Sequence, residues 1–136
     1  MARPTRVRHL VALDAQNVMT RLVERGPEMV TLFSRHRDRG SLLGPLESWF
    51  DTVEFSSLEV LSPTEQRAIS AFYETLSAVR WYLEFTEDMP LQVQQKLNVF
   101  VRTLHGRHRE LVAAIGSSED DGAPVITARV VRARSR

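Results

Sequence analysis

His105 and His108 stand three residues apart in "HGRH". That spacing sets two imidazoles side by side on a helix, where they could share a metal ion with further ligands. Those ligands are missing at any useful spacing: the chain has no E-x-x-H and no H-E-x-x-H, so no metal is assigned. With no cysteine there is also no thiolate site, disulfide framework or cysteine nucleophile. Nor is there a G-x-S-x-G elbow, a Walker-type phosphate loop or a G-x-G-x-x-G turn, and the six glycines are scattered singly. The carboxylates of "ESWFDTVE" and "EDD" read as solvated faces or linker. The expectation is a protein that is not an enzyme and carries no cofactor.

Three polar groups interrupt apolar stripes. Asp14 falls among Val7, Leu10 and Val18, His36 among Met29, Leu32 and Phe33, and His108 at the centre of an apolar face that includes Leu104 and Leu111. Leaving such a group buried and unpaired costs about 1–3 kcal/mol, so each is expected to find a partner. Asp14 and His108 are the candidate buried polar pair, with a structural hydrogen bond as the ordinary role.

Seventeen of the 18 basic residues are arginine, and Lys96 is the remaining one. Arg35, Arg37 and Arg39 cluster in "SRHRDRG", Arg3, Arg6 and Arg8 near the start, and Arg129, Arg132, Arg134 and Arg136 in the last residues. These are candidate phosphate contacts, Arg35, Arg37, Arg39, Arg129 and Arg132 first among them. A net charge of only +1 weakens that reading, as does its distribution. Residues 1–40 hold 8 basic and 4 acidic groups, 41–88 hold 2 and 9, 89–115 hold 4 and 1, and 116–136 hold 4 and 3. Blocks of opposite sign can pair across helices and serve folding alone.

The other candidate surface is "RWYLEF", Arg80 to Phe85. On a helix whose core stripe is Ile69, Phe72, Leu76, Val79 and Leu83, Trp81 and Phe85 project to the opposite face, and Tyr82 lies to one side. Either these rings meet another segment of the chain, such as "SLEVL" or the C-terminal residues, or they are exposed and bind a partner. The partner-binding candidates are Trp81, Phe85 and Tyr82.

The helices that would position these groups can be read from caps and periodicity. "LSPTEQRAI" has a capping serine at Ser62, Pro63 at the first helical position and Glu65 closing the S-x-x-E box. That helix is expected to end near "TEDMP", where Pro90 opens the next. The next aligns Val93, Leu97, Phe100, Val101, Leu104, Leu111, Val112 and Ile115 and is expected to stop at Gly116, with a close crossing or a kink at Gly106. Upstream, Val7, Leu10, Val11, Ala15, Val18 and Leu22 define a first helix, and "GP" at 26 and 27 is expected to separate it from a shorter one bearing Met29, Leu32 and Phe33. "RGSLLGP" reads as a turn. Leu46, Trp49, Phe50 and Val53 then have helical spacing from a Pro45 start, and "EFSSLEVLS" either extends that helix or forms an apolar loop.

After Gly116, "SSEDDGAP" reads as a linker and "VITARVVRARSR" mixes β-branched residues with arginine. That segment could add a strand to a partner's sheet or dock back over Trp81 and Phe85. The expected organisation is therefore an all-α, compact bundle of four to five helices over residues 1–116 and a flexible, basic C-terminal tail over 117–136. A chain of 136 residues suits one core. No run suggests a signal peptide or a membrane span, so the expected setting is the cytoplasm of a bacterial-type cell. By elimination the expected function is protein–protein interaction, as an adaptor, regulator or small chaperone, with homodimerisation one form of it. A nucleic-acid-binding regulator using the arginine clusters is the alternative. The motifs assign the chain to no family.

Overall fold

The first helix, α1, runs unbroken from Arg3 to His36 in the computed structural model, which describes residues 3–37, 39–48, 50 and 55–122. The expected separation at Gly26-Pro27 does not occur. Pro27 removes the donor that would serve the Val23 carbonyl, at a cost of about 3 kcal/mol. Leu22 and Met29 are seven residues apart, however, so the apolar stripe stays in register through the proline and buries Met29, Val30 and Phe33 beyond it. Burying each such side chain returns about 1.5–3 kcal/mol, so together they outweigh one lost hydrogen bond. The helix ends where Arg37 takes a left-handed conformation, φ 55°, and donates its N–H to the Phe33 carbonyl at 2.8 Å.

A short helix, α2, spans Gly40–Leu43, and a 3₁₀ turn follows over Gly44–Leu46. The helix expected from Pro45 does not develop. Glu47 is extended (φ −60°, ψ 141°), and Arg21 of α1 donates to the Pro45 carbonyl at 3.3 Å and to that of Glu47, carbonyls that a continuing helix would have used. Trp49 and Val53, assigned to that helix, lie outside the described residues. Within "EFSSLEVLS", Phe55–Val60 is a 3₁₀ segment. It is tied down by Gln66, whose amide donates to the carbonyls of Leu58 and Leu61 at 2.9 and 3.0 Å.

Helix α3, Pro63–Phe85, forms as expected. The Ser62 hydroxyl accepts from the Glu65 N–H at 3.2 Å and the Glu65 carboxylate accepts from the Ser62 N–H at 2.9 Å, a complete capping box. Ile69, Phe72, Leu76, Val79 and Leu83 are buried. Thr86 is extended and stops the helix, and Pro90 opens α4, Pro90–Gly122. That helix continues past the stop expected at Gly116, so the helical backbone crosses the boundary drawn between residues 116 and 117. A Cβ built at Gly116 or at Gly106 would meet nothing within 4 Å, so no close crossing occurs at Gly106.

Tyr82 faces Phe100 across a centroid distance of 5.6 Å and Phe72 faces His108 across 5.9 Å, so α3 and α4 run antiparallel. Helix α4 also packs along α1. One core joins the three long helices with α2 and the 3₁₀ segments, making an all-α, compact bundle with no strand among the described residues. Among the described residues no helix is long and apolar enough to cross a membrane.

Candidate functional site

Along α3 the face away from α4 carries Arg67, Ser70, Glu74 and Ser77 and then, one and two turns on, Trp81 and Phe85. Trp81 is 66% exposed and Phe85 58%. Neither "SLEVL" nor any other described segment covers them. Their rings lie 5.4 Å apart at 49°, a tilted pair at the i, i+4 spacing that makes helix neighbours touch. Residues this large are left so open because α3 buries only one stripe. Its core face meets α4, and Leu46, Ser48, Phe50, Leu58 and Glu59 flank it only as far as Arg80.

That flank is a cleft of about 600 Å³, with Leu46, Phe50, Leu58, Ile69, Tyr73 and Leu76 forming its apolar lining. Arg67, Glu74 and Arg80 stand at its edge on α3, and its lining ends at Arg80, the residue before Trp81. Phe50 stacks on Tyr73 at 3.8 Å and 9°, closing one wall.

Tyr82 sits differently from the other two aromatics. It is half-buried, packs on Phe100 and donates its hydroxyl to Asp88 at 2.7 Å, while the Lys96 ammonium lies 5.4 Å from its ring centre. Burial and the Asp88 hydrogen bond raise its pKa. Tyr82 thus braces the α3–α4 turn behind the exposed rings.

The pairing expected between Asp14 and His108 does not form. Asp14 accepts from the Tyr73 hydroxyl at 2.6 Å and from the Ser48 hydroxyl at 2.5 Å, and both donors come from segments that close the cleft wall. Burial, then the hydrogen bond to Asp14, holds the Tyr73 phenol far above its ordinary range, so it stays protonated and a donor. His108 is half-buried against Phe72, with Nε2 buried and unpartnered. Burial, then the nearby His105, lowers its pKa, which favours the neutral ring. His36, expected within an apolar stripe, is exposed. His105 and His108 are joined by no third residue: among the described residues no three His, Cys, Asp or Glu side chains converge on one point.

The arginine clusters are divided among roles. The Arg39 guanidinium donates to the Thr86 carbonyl and so ties the end of α1 to the end of α3. Arg37 lies 6.0 Å from the Phe33 ring centre, and Arg35 is exposed. Arg129 and Arg132 lie outside the described residues.

Arg8, grouped with Arg3 and Arg6 among the candidate phosphate contacts, is engaged within the fold. Arg8 grips Glu65 through Nε at 2.6 Å and Nη2 at 3.2 Å, and the Glu65 side chain is 0% exposed. Burial pushes that carboxyl up, but the Arg8 and Ser62 hydrogen bonds and the Arg8 charge outweigh it, leaving the pKa lowered. The capping box identifies Glu65 locally. Its second partner, 57 residues away, leaves no mark in the spacing of either segment. Comparison with known families, curated proteins and solved structures finds no match for this chain.

Proposed function

We propose that this chain is a protein-interaction module, of the adaptor, regulator or small-chaperone kind, which binds another protein or a second copy of itself through the outer face of α3. The observation that supports it is the ring pair of Trp81 and Phe85, exposed on α3 just beyond Arg80, where the lining of an apolar cleft ends. Surface tryptophan is the residue type most enriched among energetically dominant interface contacts. A rigid ring pair also loses little conformational entropy on docking. Tyr82 belongs to this surface as its support. The cytoplasmic setting rests on the cysteine-free composition.

The test compares the wild-type chain with a Trp81→Ala, Phe85→Ala variant, in capture from native lysate and in sedimentation of the purified proteins at several salt concentrations. The expected outcome is a specific partner, or a dimer, that the wild type holds through moderate salt and that the folded variant loses. Equal capture and equal sedimentation of the two would overturn the proposal. Binding that vanishes steeply with salt and depends on Arg35 and Arg37 would transfer the role to the arginines.

A further inference from the structure

The face of α3 that carries the ring pair has a pattern complementary to itself. Arg67, Ser70, Glu74, Ser77, Trp81 and Phe85 are all exposed and follow one another at three- and four-residue steps, so they form one stripe along the helix. The stripe is uneven. It is aromatic at its C-terminal end, small at Ser70 and Ser77, and charged at Arg67 and Glu74, with the exposed Arg80 on its flank. Arg67 and Glu74 are seven residues apart and Glu74 and Arg80 six, whereas charges on one helix meet at three or four. Among the described residues none of these three forms an ion pair.

Two such stripes can face each other in two directions, and their charges and sizes decide between them. Parallel and in register, each charge meets its own kind, rings meet rings, and serines face serines across a gap. Antiparallel about a two-fold axis at Ser77, residues equally far to either side of position 77 come level with each other. Trp81 then falls between Ser70 and Ser77 of the second copy, a large side chain entering a hollow lined by small ones. Phe85 falls between Ser70 and Arg67, whose guanidinium can lie over the ring. Glu74 comes level with Arg80, twice over by symmetry, and Arg67 with the exposed Glu87. The serines at the crossing allow the backbones the approach of about 8–10 Å at which helices pack.

We infer that the chain forms a two-fold dimer in which the outer faces of α3 pack antiparallel about Ser77, with Trp81 of each copy seated between Ser70 and Ser77 of the other and Glu74 paired with Arg80. The inference rests on the interaction reading above and commits that surface to a second copy of the chain.

Sedimentation equilibrium of the purified chain up to about 100 µM tests it, with circular dichroism reporting that each variant is folded. Glu74→Arg places two pairs of positive charges across the axis and Arg80→Glu two pairs of negative ones, and each variant alone is expected to weaken the dimer at least about tenfold. An equimolar mixture of the two is expected to restore wild-type association, because every repulsive pair becomes an attractive one. Ser77→Cys, in a chain with no other cysteine, is expected to cross-link the two copies on mild oxidation far faster than Ser70→Cys, whose copies stand about 21 Å apart along the helices. A wild-type chain that stays monomeric overturns the proposal. So does a dimer that the single charge variants leave unchanged, one that the mixture fails to restore, or equal cross-linking at positions 70 and 77. Each of these failures leaves the wider interaction reading standing, since capture of another protein by the wild type, lost in the Trp81→Ala, Phe85→Ala variant, does not require self-association.

Discussion

Asp14 shows how far one side chain's role can be read from its position in the chain. Its place in an apolar stripe announces a buried carboxylate in need of donors, and the structure supplies them from Tyr73 and Ser48. Replacing Tyr73 with phenylalanine keeps the stack on Phe50 but removes one donor to that carboxylate. The expected loss is about 1–2 kcal/mol in denaturant unfolding, whereas Asp14→Asn is expected to leave the titration of His108 by NMR unchanged. The donors themselves were not legible, because a helical wheel shows which way a residue faces and not what stands opposite. Two pH effects follow from the same scale. The lowered pKa of His108 means that the folded state resists a proton the unfolded chain accepts, so stability falls as pH drops through about 6.5. Glu65 has the opposite charge logic. Its stabilisation is complete above the unfolded value near 4.5 and is lost as pH falls through the lower folded value. Urea midpoints against pH are expected to show both declines, with His108→Leu removing the upper one and Glu65→Gln, less stable at neutral pH, removing the lower.

At the level of the element, caps were legible and breaks were not. The start of α3 is a local event in which Ser62, Pro63 and Glu65 satisfy neighbouring backbone groups, so the local sequence contains the whole explanation. Gly26-Pro27 is a local penalty overridden by burial of Met29, Val30 and Phe33 against the rest of the bundle, and no local rule contains that term. The glycine within α4 makes the same point, since its environment is open where a close crossing was expected. Gly106→Ala is accordingly expected to raise stability by about 0.5–1 kcal/mol, the helix propensity difference, with no steric cost. Pro27→Ala is expected to add about 1–3 kcal/mol by restoring the donor to the Val23 carbonyl, offset in part by a freer unfolded chain. Thermal unfolding followed by circular dichroism checks both, and a loss of stability in Pro27→Ala would mean that the proline shapes a bend the packing requires.

For the whole molecule, the sequence pattern identifies an all-α bundle because three long amphipathic segments can bury their stripes only against one another. Which segment covers which face is a property of the assembled bundle. The outer side of α3 illustrates it: its aromatics could have met the "SLEVL" segment, and the described residues leave them in the open. The charge blocks show the same division, for the basic block 1–40 does meet the acidic block 41–88 in Arg8 and Glu65, while most of the other described charged residues of both blocks are exposed. If Trp81 and Phe85 serve binding and not folding, their removal and the removal of a core neighbour must differ sharply. Leu83, two residues from each on the opposite face of the helix and fully buried, is the internal reference. Leu83→Ala is expected to cost about 2–5 kcal/mol through lost burial and the cavity left behind. The Trp81→Ala, Phe85→Ala double variant is expected to cost under about 1 kcal/mol, the value of an exposed i, i+4 ring pair and little else. Guanidinium unfolding of the three proteins, followed by circular dichroism so that the lost tryptophan does not alter the signal, separates the cases. A double variant as unstable as Leu83→Ala would make the ring pair part of the core and remove the physical basis for a binding surface on α3.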